Sequence, residues 1–250
     1  MIIDTHTHWG MCWEDRYGAD PTEWLRVLDH HGVDMAALMG HRSLSRNADI
    51  RRSNDIVKET CDRSGGRLIP LATVHPDFGA ESVRELERCL RDLSMRGLKL
   101  HPWLQGFSLA SPVMEDLAEV CGKFGVPVVF HDGTPCYSMP EQVGGLALRF
   151  PGTTFVLAHG GLLELWRSAA SFARRCPNLF ITLCGQHCAA IREIVATVDE
   201  NRILWGTDFG FGWLDPIGYR KGIVDIVEMP PETRAKIMGW NAARLFGIGR

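Results

Sequence analysis

Apolar residues come in short runs along this chain, and between the runs the apolar positions recur at helical spacing. Residues 1–7 form the first run. A helix is predicted over 21–31, with Asp20 as its N-cap and Pro21 at the first helical position. The two patterns then repeat. Strands are predicted at 33–40, 67–74, 97–101, 126–131, 153–159, 178–184 and 202–208. Helices are predicted at 47–63, 80–94, 112–124, 140–150, 162–176 and 189–198, with helical stretches after the last strand. Several strands, VPVVFH and NLFITLC among them, are near-continuous apolar runs, which suits a parallel sheet covered on both faces. Eight strand–helix units in 250 residues give about 31 residues each, the size expected of a (β/α)8 TIM barrel. A doubly wound open sheet is the alternative. It would place a glycine-rich phosphate loop after the first strand, where this chain carries histidine. No linker or low-complexity segment breaks the pattern, so one α/β barrel domain is expected over residues 1–250.

Composition narrows the class. Hydrophobic residues make up 45% and charged residues 23%, which excludes a disordered chain. The net charge of −3 and the lack of a basic stripe argue against a nucleic-acid partner. No apolar run approaches the ~18 residues of a membrane span, so no membrane partner is expected. The N-terminus, MIIDTHTHWG, has no basic segment and a histidine pair where a signal peptide would be apolar. Eight cysteines are too sparse for a disulfide scaffold, and none forms a CxxC pair. Reduced thiols in a cytoplasmic protein are the expectation.

The active site of such a barrel lies at the C-terminal ends of its strands. Strand 1 ends in His6-Thr7-His8, strand 2 at His41, strand 3 at His75 and strand 4 in Lys99-Leu100-His101. The remaining strands end at His131, His159, near Cys184, and at Asp208. Eight of the ten histidines lie at these ends, counting His187 just past strand 7; only His30 and His31 do not. His6 and His8 are two apart, so a strand turns both to one face, as two ligands of one metal require. That pair alone arises readily by chance. Joined by His131, His159 and Asp208 at the same end, it reads as a metal site, since neutral imidazole and carboxylate suit zinc and similar divalent ions. Lys99 shares a face with His101, while Leu98 and Leu100 face the helices. A lysine pointing into a barrel mouth is costly unless its charge is paired. Cys184 reads as a mouth-lining thiol, and Asp132 as a group that orients a neighbour or as an ordinary loop residue.

Three loops at this end, 9–17, 102–107 and 209–213, are rich in aromatics and glycine. Trp9, Trp103, Phe107, Phe209 and Trp213 are candidate walls for a planar or carbocyclic substrate, or alternatively a cap on the barrel or a surface that meets a second subunit. Arg16, Arg42 and Arg46 are candidates to hold a substrate carboxylate. His101 is a candidate substrate contact, and His41 and His75 are read as supporting the site.

The arrangement resembles the amidohydrolase superfamily, in the branch that includes metal-dependent hydrolases and aromatic-acid decarboxylases. The matching pieces are Asp4-Thr5-His6-Thr7-His8, Gly97-Leu98-Lys99-Leu100-His101-Pro102, His131, His159-Gly160-Gly161, Gly206-Thr207-Asp208 and the closing Asn241-Ala242-Ala243-Arg244-Leu245-Phe246. They stand in the family's order over nearly the whole chain. The resemblance implies that His6, His8 and Asp208 bind a metal, with His131 as a further ligand. It makes His159 either a second-metal ligand or a general acid/base. In two-metal members a lysine at the end of strand 4 carries a bridging carbamate, so Lys99 is a candidate carboxylated ligand; pairing with Asp208 or with a substrate carboxylate is the alternative. The larger aromatic-acid decarboxylases use one metal and lack this lysine. The expected cofactor is one or two divalent ions, zinc first and manganese second.

The expectation that follows is a metal-dependent hydrolase of an amide, lactone or ester-like bond in a small organic acid. Metal-bound hydroxide attacks, and Asp208 or His159 moves the proton. Substrate contacts are expected from His101, Trp103 and Trp9. The first alternative is a non-oxidative decarboxylase of an aromatic or related acid. The second is a catalytically silent metal-binding barrel, against which the intact Asp208 and His159 argue. The oligomeric state is left open by the sequence, and an aromatic rim makes a homodimer a candidate.

Overall fold

The computed structural model describes residues 1–41, 49–211 and 215–249. Eight parallel strands pair in chain order: β1 (Ile3–Trp9), β2 (Met35–Gly40), β3 (Leu68–Thr73), β4 (Leu98–Leu100), β5 (Val128–Phe130), β6 (Phe155–Leu157), β7 (Leu179–Leu183) and β8 (Ile203–Trp205). The helices outside them are α1 (Met11–Tyr17), α2 (Thr22–His30), α3 (Ile50–Asp62), α4 (Ala80–Arg91), α5 (Pro102–Gln105) and α6 (Val113–Phe124). They continue with α7 (Pro140–Arg149), α8 (Trp166–Arg175), α9 (Cys188–Thr197), α10 (Ile217–Asp225), α11 (Pro231–Ala235) and α12 (Asn241–Leu245). This is the TIM barrel expected of the alternating pattern. The mouth differs in detail: β1 runs on past the histidine pair to Trp9, paired with Gly40, and the aromatic loops after β1 and β4 wind into α1 and α5.

The period of two along each strand divides the apolar residues between two layers. Leu98, Leu100, Val128, Phe130, Phe155 and Leu157 face the helices. Met39, Ile69, Leu71, Val129, Val156 and Leu204 fill the barrel interior, with Ala242 and Phe246 of the closing motif packed among them. Asn241 donates from Nδ2 to the carbonyls of Glu200 (2.7 Å) and Ile203 (2.8 Å), which holds α12 under the start of β8. The C-terminal strand ends are left for chemistry.

β8 closes on β1 through the residues that follow it. The Asp208 N–H donates to the His6 carbonyl at 2.8 Å, and the His8 N–H to the Phe209 carbonyl at 2.7 Å. Gly210, at φ +88°, makes this seam possible: a Cβ there would sit 2.0 Å from the His8 carbonyl oxygen. Among the described residues, no helix is long and apolar enough to cross a membrane.

Candidate active site

His6 and His8 turn into the mouth from β1, and Asp208 meets them from the far side of the seam. The Nε2 atoms of the two histidines are 2.9 Å apart. Asp208 Oδ1 lies 3.4 Å from the first and 3.3 Å from the second. His6 Nδ1 lies 3.3 Å from the Ala158 carbonyl, so Nδ1–H donates there and Nε2 is a bare lone pair. Burial holds both imidazoles below their ordinary range, and the Lys99 charge adds to this at His6. Burial pushes the Asp208 carboxyl up, but His8 and the neighbouring imidazoles outweigh it and keep the group well below the usual carboxylate range. At neutral pH the site thus presents neutral imidazoles and an anion. Lone pairs converging at these separations repel one another unless a cation sits between them. The separations match the edges of a coordination shell with bonds of about 2.0–2.2 Å, so the residues fit a divalent cation.

The surrounding motif residues hold these donors in place. Asp4 is fully buried and accepts from the His6 N–H (3.1 Å), the Thr207 N–H (3.1 Å) and the Thr207 hydroxyl (2.5 Å). Burial raises its carboxyl to about 7. It clamps β1 to the β8 turn just where the register of β1 shifts, between Asp4 and Thr7. Gly206 gives that turn room, since a Cβ there would fall 2.8 Å from the Thr182 methyl and 3.0 Å from His6 Cβ. Asp208 itself takes a left-handed backbone, φ +65°.

Lys99 is fully buried, and its Nζ lies 3.2 Å from His6 Nε2. Burial lowers its ammonium from 10.5 to about 8, against the opposing pull of Asp208 and Asp132. His159 Nδ1 lies 3.2 Å from the Cys184 carbonyl, and burial lowers the imidazole to about 4. Asp132 accepts the backbone N–H groups of His159 (2.7 Å) and Gly161 (2.6 Å), while Gln186 donates to the His159 carbonyl. Asp132 thus orients its neighbour through the backbone. Asp132→Asn would turn an amide N–H toward one of those donors. Urea unfolding should show a loss of about 2 kcal/mol, and an unchanged midpoint would contradict the clamp.

The imidazoles of His101 and His131 stack, with ring centres 3.7 Å apart and planes within 9°. His131 is 4.6 Å from His159, His159 4.7 Å from His6, and His6 5.0 Å from His8. A wall of rings therefore runs from β4 around to β1, and Phe211 extends it, 5.2 Å from His8 and 42% exposed. His101 Nδ1 accepts from the Leu104 N–H at 3.3 Å and caps α5, so its proton sits on Nε2. His75 and His187 use Nδ1 in the same way, accepting from Asp77 and Ala190.

Two tight groups of possible metal donors exist among the described residues: His6, His8 and Asp208, and His6, His159 and Cys184. His131 belongs to neither, and its Nε2 lies 2.8 Å from the Thr134 hydroxyl. Trp9 does not reach the mouth as expected. It alternates with His8 to the helix side of β1, is 1% exposed, and packs on Trp13 and Trp24. Phe107 and Phe209 are also buried, whereas Trp103 is 53% exposed beside His101. Arg16 lies over the Tyr17 ring. Arg42, Arg46 and Trp213 fall outside the described residues. Asp4, Gln186 and Phe211 were not assigned a role from the sequence.

A barrel with this donor set defines a class, and comparison places the chain within it. The amidohydrolase family model matches residues 3–248, and the chain belongs to that family. It is 23% identical to the 2-amino-3-carboxymuconate-6-semialdehyde decarboxylase of Dictyostelium discoideum, over 95% of this chain and 77% of that protein. It is also 23% identical to the 2-keto-4-carboxy-3-hexenedioate hydratase of a Sphingobium strain, over 89% of this chain and 81% of that one. Its fold matches a dihydroxybenzoic acid decarboxylase of a Polaromonas strain, solved with manganese and the inhibitor 2-nitroresorcinol. The TM-score is 0.77 at 18% identity, covering 100% of this chain and 97% of the other. The expectation of hydrolysis is therefore met only at the level of the superfamily, because these relatives are named for decarboxylation and hydration.

Proposed function

We propose that this chain is a metal-dependent, non-oxidative decarboxylase of an aromatic or related acid that carries a hydroxyl near its carboxylate. The observation that carries this reading is the compact donor group His6–His8–Asp208 beside Lys99, whose Nζ lies 3.2 Å from His6 Nε2 and whose ammonium holds its proton at neutral pH, whereas Asp208 and His159 both titrate below neutrality. A divalent cation, manganese or zinc, held by His6, His8 and Asp208 would supply the positive charge that binds and polarises the acid's oxygens. The stacked rings of His101 and His131 offer a flat face to a planar ring, and His101 Nε2–H a donor of fixed direction. The bond from the ring carbon to the carboxylate breaks and its electron pair stays on the carbon. That carbon takes the Lys99 proton as carbon dioxide leaves, and Lys99 is reprotonated from solvent. In this reading Asp208 and His159, expected from the sequence to move a proton, hold the cation and shape the pocket.

One observation favours a second reading. A buried amine with its ammonium lowered to about 8 and 3.2 Å from a metal-ligating nitrogen is open to carboxylation, which would make a two-metal hydrolase. One experiment separates the two. The manganese-loaded protein is offered hydroxy-substituted aromatic acids with carbon dioxide as the readout, and a lactone and amide panel alongside. Metal per chain is measured by plasma mass spectrometry. Carbon dioxide release with about one cation per chain is expected; hydrolysis with about two would replace this reading by the second.

A further inference from the structure

The mouth holds a buried thiol that the proposed reaction does not use. Cys184 follows β7, and its sulfur, His6 and His159 each offer one ligand atom, all within 4.8 Å of one another and all buried. His6 and His159 each direct Nδ1–H to a main-chain carbonyl, of Ala158 and of Cys184, which leaves each Nε2 unprotonated, with Lys99 Nζ 3.2 Å from that of His6. The two donor groups differ in chemistry. Asp208 is a hard oxygen donor, and Cys184 a soft sulfur donor that selects thiophilic cations.

We propose that His6, His159 and Cys184 form an alternative seat for a thiophilic divalent cation such as cadmium, and that this seat and the His6–His8–Asp208 seat exclude one another. The exclusion follows from His6, whose Nδ1 is held by Ala158 and whose single unprotonated nitrogen serves one ion. Filling the sulfur seat forms a bond from the cation to Cys184 Sγ and releases the thiol proton to solvent, one proton per cation bound. Manganese binds thiolate weakly and stays in the first seat. A thiophilic cation draws His6 out of that seat and ties up His159, so it inhibits by displacing the working metal. The proposal rests on donor geometry and holds whichever reaction the first seat serves.

Cadmium titrated into the manganese-loaded protein tests this without an enzymatic assay. A sulfur-to-cadmium charge-transfer band should grow to about one cadmium per chain, and the electron paramagnetic resonance signal of free manganese should rise in step. Cys184→Ser should abolish the band and raise the cadmium needed to release manganese by at least about tenfold. Cys136 is an exposed thiol, and Cys136→Ser should leave both readouts unchanged. Cadmium-113 magnetic resonance of the unsubstituted protein, which needs no variant to fold, should show ligation by one sulfur. Release of manganese with no band, or a full band in a folded Cys184→Ser protein, would overturn the proposal.

Discussion

Asp208→Asn is expected to cut turnover by about 10³-fold, through loss of the cation's charge stabilisation, while leaving the barrel folded. Asparagine is the informative replacement because of the backbone. Asp208 sits at φ +65°, a conformation that asparagine tolerates and alanine does not. Asparagine also preserves the N–H that bonds the His6 carbonyl and closes the seam. What changes is the charge. The anionic oxygen at 3.3–3.4 Å from the two histidines becomes a neutral amide, and one of its orientations points N–H groups at the cation site. Manganese affinity should fall together with turnover, by at least about tenfold. Plasma mass spectrometry and a thermal melt read the two consequences separately. A variant that keeps its metal and its turnover would remove Asp208 from the site.

The barrel was legible because each apolar run ends in a polar residue that has no place in a core. His6, His8, Lys99 and His159 stand at such ends, and all four reach one mouth. The period of two also placed Lys99 inside and Leu98 and Leu100 outside. The same rule, applied one residue past His8, turns Trp9 to the helices, where it is found. Tertiary contacts were not legible in this way. The segment after β1 becomes α1 because Trp13 packs against Trp24 and against Phe209, which is remote in the chain. The shift in β1 that lets Asp4 reach Thr207 leaves no mark in the pattern. A histidine that caps a helix and one that binds a metal look alike at a strand end. His101, His75 and His187 are told from ligands only by what their Nδ1 atoms accept. The reaction class was hidden for a similar reason, because one donor set serves hydrolysis and decarboxylation alike.

Lys99→Met should stabilise the metal-free protein by about 3 kcal/mol at pH 7 and abolish the proposed decarboxylation. The side chain is fully buried, and its ammonium is lowered from 10.5 to about 8, chiefly by burial. Each unit of that shift is a cost of about 1.4 kcal/mol for keeping the charge in the folded state. The unfolded lysine keeps its proton up to 10.5, while the folded one releases it near 8. Between those values the unfolded chain binds more protons, so wild-type stability gains with pH across that window. Methionine has a similar volume and no charge, so its advantage is largest below pH 8 and shrinks as the pH approaches 10.5. Urea unfolding of both proteins at pH 7 and pH 10 measures the gap. A gap that does not narrow, or a variant less stable than wild type at pH 7, would mean that Lys99 is not a buried amine and would favour its carboxylated form. In the proposed reaction the charge that weakens the fold is also the proton delivered to the substrate carbon, so a stabler variant without turnover would tie the cost in the fold to the chemistry in the mouth.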